Sequence, residues 1–257
     1  TVIIRGEHQF PSTLTIPTNH LQFVGDGNAI LSTPVAGFTG TRLLDISGRT
    51  NITFRNLTFV ARTAGLTAIF SSGQALSDIR VEDCTFSNAS TQWDRGVDLG
   101  NTAATGENVY IKDSTFYIPT NAGGGTTHLG VNLYGIGHAR VTGCRFIANG
   151  NSDTAGISIG ETNHKSANVV VSDCYFGGMA LGMKVEFADH VKLVDNTIEN
   201  TTKGIISEIG TSAPNNNAAS TDYLISGNTI GLAPTGFVGI SLREVTAATI
   251  ESNHLAC

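Results

Sequence analysis

Gly156–Ile198 reads GISIGETNHKSANVVVSDCYFGGMALGMKVEFADHVKLVDNTI. A Gly heads a short alternating apolar strand. A polar turn follows, then a second alternating strand, an Asp-Cys or Asp-Asn pair, and an apolar residue two positions after that pair. At Gly182 the same phrase starts again. Aligned on its last apolar residue, the phrase recurs at Phe59, Phe86, Phe116, Phe146, Phe176, Ile198, Ile230 and Leu255. Two positions earlier stand Leu57, Cys84, Ser114, Cys144, Cys174, Asn196, Asn228 and Asn253. Columns that agree in character along the chain are the mark of an internal repeat.

The columns have physical meanings. Positions five and seven before the anchor, such as Val171 and Val169, are apolar and two apart, which is the strand period. Residues between them (Arg80, Tyr110, Arg140, Lys192) are mostly polar and face water. Three before the anchor stand Asn56, Asp83, Asp113, Gly143, Asp173, Asp195, Gly227 and Ser252, mostly residue types that reach positive φ cheaply, so the chain bends there. The Asn residues two before the anchor are expected to point inward and hydrogen-bond up and down their column. The five Phe anchors are expected to stack, with Phe116, Phe146 and Phe176 touching in series. Repeat length varies, and a coil of short strands absorbs this by placing insertions in outward loops. The pattern predicts an all-β, right-handed, single-stranded parallel β-helix with three short parallel sheets, spanning 1–257 as a single domain. The Gly at the head of each first strand is read as a tight turn.

The chain has 257 residues, 14% of them charged, and a formal net charge of -6. An acidic balance argues against nucleic acid, whose phosphates need a basic face. No stretch has the length and apolar character of a membrane-spanning helix. No basic-plus-apolar leader opens the chain, so a leader is absent or removed. No helical cap precedes the first coil, so the chain is expected to belong to a longer protein or to be covered by partners. Cys84, Cys144 and Cys174 fall in the inward column and read as buried free thiols; Cys144 and Cys174 are on adjacent coils, within reach of a bridge. No Cys-x-x-Cys suggests zinc.

With its ladder of Asn, Cys and Phe and the opening TVIIRGEHQFPSTLTIPTNHLQFVGDGNAIL, the chain resembles the pectin lyase-like β-helix superfamily. The resemblance covers nearly the whole length. It implies a carbohydrate-active protein, a polysaccharide lyase or glycoside hydrolase acting on an extracellular polysaccharide, as in secreted enzymes or phage tailspikes. It also implies an extracellular or virion-associated setting and a homotrimer, or a coil capped by another domain. The Asn-Thr-Asp, Asp-Asp, Gly-His-Gly and Arg-Ile-Lys set of polygalacturonases is absent, with GIGHAR at 135–140 and DTAG at 153–156 as echoes. The other class of function is a non-catalytic, structural or glycan-binding β-helix of a virion appendage, decoration protein or adhesin.

Long loops flank only the first strand of each repeat, so the site is expected on that sheet. One outward column there reads Asp98, Asn132, Ser158, Lys184, Ile206, Ser241, and the next reads Gly100, Tyr134, Gly160, Glu186, Glu208, Arg243. Glu186 and Glu208 then lie one coil, or ~5 Å, apart. Such a pair suits a retaining hydrolase. In a lyase it would hold a cation such as calcium against the substrate uronate, with Lys184, Arg243 or Tyr134 as the base. Glu186, Glu208, Lys184 and Arg243 are therefore the catalytic candidates. Asp98, Asn132 and Tyr134 extend the groove. Trp93 is a ring for a sugar to stack on or a loop anchor, and His164, beside Glu161, is an acid/base candidate, as is His128. The competing reading of the charges is a solvated ladder of ion pairs. His138 and His190 read as turn residues, because they share a column with Asn51, Asp78, Asn108, Asn168 and Asp222.

Overall fold

The computed structural model describes residues 1–73, 75–88, 93–100, 106–118, 128–150, 154–161, 164–207, 220–232 and 238–256. Its regular elements are all β-strands, and each pairs in parallel with its counterpart one coil away, as Val97 does with Val131 and Val131 with Ile157. The first strands of the coils form a sheet of nine strands; the second and third strands form one of nineteen. Three sheets were expected, and the second and third are continuous. Leu21–Ser32 runs through the corner and pairs with Thr50–Arg55 before it and Thr58–Ala61 after it. Elsewhere the corner divides this sheet into a second and a third face.

The corner is a single left-handed residue. Asn56, Asp83, Asp113, Asp173, Asp195 and Ser252 have φ of 48–55°, and Gly143 and Gly227 have 65° and 67°. One such residue turns a strand without interrupting its ladder, and the Asp113 amide still donates to Thr142 O at 3.1 Å. The turn column before the second strand is left-handed at His20, Asn51, Asp78, Asn108, Asn168, His190 and Asp222. His138 departs from it; the positive φ falls on Gly135 instead.

Inside, the columns are as the residues suggest. Asn196 Nδ2 donates to Asn228 Oδ1 at 3.0 Å, and Asn228 Nδ2 to Asn253 Oδ1 at 2.8 Å, while each also caps a carbonyl of an earlier coil. Buried amide groups are thereby satisfied without water. In the earlier coils Cys84, Cys144 and Cys174 take the place of Asn. They are free and buried, and their Sγ atoms donate to Phe54 O, Ile111 O and Val141 O at 3.6–3.7 Å. Burial pushes the Cys84 thiol up to about 12, and the neighbouring Cys144 together with burial raises that of Cys174. The Phe59, Phe86, Phe116, Phe146 and Phe176 rings stack in series at centroid separations of 4.5–4.9 Å and within 7° of parallel.

The glycines heading the first strands have a different role from the turn expected of them. Gly96, Gly130 and Gly156 have ordinary negative-φ geometry and abut the Phe stack. A Cβ on Gly156 would come 2.4 Å from Phe176 Cδ1 and 2.7 Å from Gly182 O. The column is glycine because the ring and the next strand already occupy the space. Gly156→Ala is expected to destabilise the fold by about 1–3 kcal/mol, the usual range for overpacking, read from the urea midpoint.

Candidate functional site

The register of the first face agrees with the sequence columns. Asp98 pairs with Asn132, Asn132 with Ser158, Ser158 with Lys184, Lys184 with Ile206 and Ile206 with Ser241. Alternation sends Val97, Leu99, Val131 and Leu133 into the core and leaves Asp98, Asn132 and Tyr134 outside it.

Asp98 and Asn132 are nevertheless 3% and 1% exposed, because polar side chains from three coils close over them. Arg95, on the strand Trp93–Gly100, donates to Asp98 Oδ2 at 2.7 Å. Asn132 Nδ2 donates to Asp98 Oδ1 at 3.0 Å and to Glu161 Oε1 at 3.2 Å. Glu161 follows the strand Thr154–Ile159, where a narrow two-way bridge with His164 returns the chain: His164 N donates to Glu161 O at 2.9 Å and Glu161 N to His164 O at 3.3 Å. That turn brings the His164 ring 5.7 Å from the Tyr134 ring. Tyr134 lies across Gly100, where any Cβ would overlap the ring. One amide nitrogen therefore holds two carboxylates from coils two apart, with a guanidinium and a phenol beside them.

The electrostatics follow from this packing. Burial raises the Tyr134 hydroxyl, the charges of Asp98 and Glu161 raise it further, and Arg95 opposes them, leaving it at about 12. Tyr134 thus holds its proton at neutral pH, where its hydroxyl can donate a hydrogen bond. Burial acts to lower Arg95, but Asp98, Glu161 and Tyr134 outweigh it and raise its proton affinity above the ordinary value.

Lys184 and Glu186 form an ion pair on the strand Leu181–Val185 and the residue after it. They lie two coils, about 10 Å, beyond Asn132. Arg243 is exposed, and its amide donates to Ser207 O at 3.1 Å, which keeps it in the expected register. Glu208 lies outside the described residues, so the Glu186–Glu208 pair has no described geometry. Trp93 is 2% exposed and its indole donates to Ser87 O at 3.1 Å; it is the loop anchor and offers no ring to a sugar. His128 is buried, with Nδ1 3.4 Å from Asp94 Oδ1 but not aligned for a hydrogen bond. Arg95 and Glu161 are the members sequence columns did not single out.

Calcium does not fit the donors described here. Lys184 already faces Glu186, Arg95 and Asn132 occupy Asp98, and among the described residues no three His, Cys, Asp or Glu side chains converge.

Several solved structures align with the chain. A mutant tailspike protein of E. coli bacteriophage HK620 in complex with a hexasaccharide aligns with a TM-score of 0.53 at 12% identity, over 98% of this chain and 50% of that one. The catalytic domain of a GH87 alpha-1,3-glucanase in complex with tetrasaccharides gives 0.47 at 11%, over 98% and 64%. The Azotobacter vinelandii mannuronan C-5 epimerase AlgE4 A-module gives 0.41 at 14%, over 99% and 86%. The chain thus spans half to about two thirds of the glucanase and tailspike chains. No curated protein sequence matches it. The family model described as "Right handed beta helix region" matches residues 42–230, and with the coil, the corner residues and the inward ladders in place, the chain belongs to that family, within the pectin lyase-like superfamily.

Proposed function

We propose that the protein is a carbohydrate-active β-helix that hydrolyses an extracellular polysaccharide on its first face, with Asp98 and Glu161 as the working carboxylates. The observation that carries this reading is the shared amide of Asn132. Its bonds of 3.0 and 3.2 Å keep the two bound oxygens closer than the ~6.5–9.5 Å that an inverting pair leaves for its water, which favours retention of configuration. Asp98, fixed by Arg95 and Asn132, takes the part of nucleophile. Glu161, on a turn and half-buried, donates the proton to the leaving oxygen and then accepts one from water. Tyr134 supplies a neutral donor beside them. The hexasaccharide held by the HK620 tailspike, a protein of the same fold, supports a glycan as ligand. An extracellular or virion-associated setting, with the single domain 1–257 in a homotrimer or under a capping domain, belongs to the same reading.

A second reading is favoured by one observation. Asp98 and Asn132 are buried and fully partnered, as in a structural network, which fits a glycan-binding or purely structural β-helix. Incubation of the full-length protein with a panel of neutral and acidic polysaccharides separates the two. New reducing ends without unsaturated-uronate absorbance are expected. Absorbance would point to a lyase, and binding without cleavage would establish the second reading.

A further inference from the structure

The second face carries a groove of its own. It has a volume of about 400 Å³ and runs from Asn108 and Tyr110 to His190, Lys192 and Asp222. That is five successive coils, about 20 Å along the axis at the strand spacing of a sheet. Its floor is Val109 and Ala139. Its outward column is continuous: Arg80 pairs with Tyr110, Tyr110 with Arg140, Arg140 with Val170, Val170 with Lys192 and Lys192 with Leu224. Cation and apolar surface therefore alternate, with a cation every second coil. The short Val170 between Arg140 and Lys192 leaves the hollow open.

The cations are available. Arg140 and Lys192 are exposed and form no ion pair among the described residues. Arg80 stacks its guanidinium 4.8 Å over the Tyr110 ring, which orients both, and sits 3.8 Å from Glu82. On the turn side, His190 Nε2 is 3.8 Å from Asp222 Oδ2, an ion pair only when His190 is protonated, and His138 lines the same edge. This concentration of cations lies on a chain whose net charge is -6, so general basicity does not account for it.

We infer that this second-face groove binds an anionic polysaccharide lying along the coil axis, separately from the first-face site. The spacing sets the class. Cations two coils apart are about 10 Å from one another. An extended, twofold β-linked glycan presents one carboxylate to a given side per disaccharide, a repeat of the same size. Arg140 and Lys192 take successive carboxylates, and Tyr110, Val170 and Leu224 pack against the sugar faces between them. The inference does not rest on hydrolysis at the first face.

Isothermal titration of the full-length protein tests it, with a hyaluronan decasaccharide and an oligomannuronate as acidic probes and a cello-oligosaccharide as the neutral one. At least one acidic probe is expected to bind, weakening with added salt. The double variant Arg140→Gln/Lys192→Gln should lose about tenfold or more in affinity while Glu161→Gln retains it. Both substituted cations are exposed, so an unchanged melting curve is expected alongside the loss. The inference is overturned if neither acidic probe binds, if the neutral probe binds equally well, if the double variant binds as the parent does, or if Glu161→Gln abolishes binding to the acidic probe.

Discussion

Glu161→Gln is expected to lower the rate of glycosidic hydrolysis by ~10²–10⁴-fold, the usual contribution of a general acid/base. The substitution keeps the side chain's volume and leaves a carbonyl oxygen to accept from Asn132 Nδ2, whose bond to Glu161 is 3.2 Å. The backbone bridge to His164 is untouched, so the melting midpoint should hardly move. Asp98→Asn behaves differently. It removes the carboxylate that pairs with Arg95 at 2.7 Å, in a place only 3% exposed, and so should reduce both stability and rate. This contrast separates chemistry from scaffolding. Tyr134, with its hydroxyl at about 12, keeps its proton through the neutral range, so its titration should place no limb in the pH–rate profile below about pH 11. Full activity of Glu161→Gln on a substrate that the parent cleaves would remove Glu161 from the mechanism.

Phe146→Ala is expected to cost about 3–5 kcal/mol, read from chemical denaturation. Phe146 is fully buried and lies 4.9 Å from Phe116 and 4.8 Å from Phe176 by ring centroid. Truncation therefore opens a cavity in the middle of a column and unstacks both neighbours. Collapse is hindered from the side as well. Gly130 packs its backbone against this ring: a Cβ there would approach Phe146 Cδ1 to 2.5 Å. A glycine has no side chain to swing into the void, which places the loss toward the upper end of the range. A midpoint equal to the parent's would contradict the stack.

The coil was legible from residue types because its geometry repeats one corner residue and a period of two. Asp113, Asp173 and Asp195 mark left-handed corners wherever they stand, and Phe116, Phe146 and Phe176 mark the interior. The first-face register followed from the same counting, down to Asn132 beside Asp98. The site was legible only in part. Arg95 precedes the alternating stretch, where the register shifts between Trp93 and Arg95, so no column assigned it. Glu161 reaches Asn132 through a turn, and turns carry no period. The head glycines were misread because a glycine kept for lack of space and one kept for positive φ look alike in sequence; only Phe116, Phe146 and Phe176 against Gly96, Gly130 and Gly156 distinguish them. The second-face groove escaped for a third reason: it is made by the shortness of Ala139 and Val170 between longer neighbours, a matter of relief and not of pattern.

The single left-handed corner also bears on how such a chain changes length over generations. Each coil hands its register to the next through the same torsion, as at Asp83 and Asp113, and pairs only with the coils before and after it, as Thr115–Ile118 pairs with Thr85–Asn88 and Arg145–Ala148. A rung could then be spliced in or out by unequal recombination without re-threading the remainder. The number of coils becomes a ruler. Lengthening the chain by one rung would extend both outer faces by ~4.8 Å, so that the reach of each face would be set by repeat count and not by redesign of any pocket.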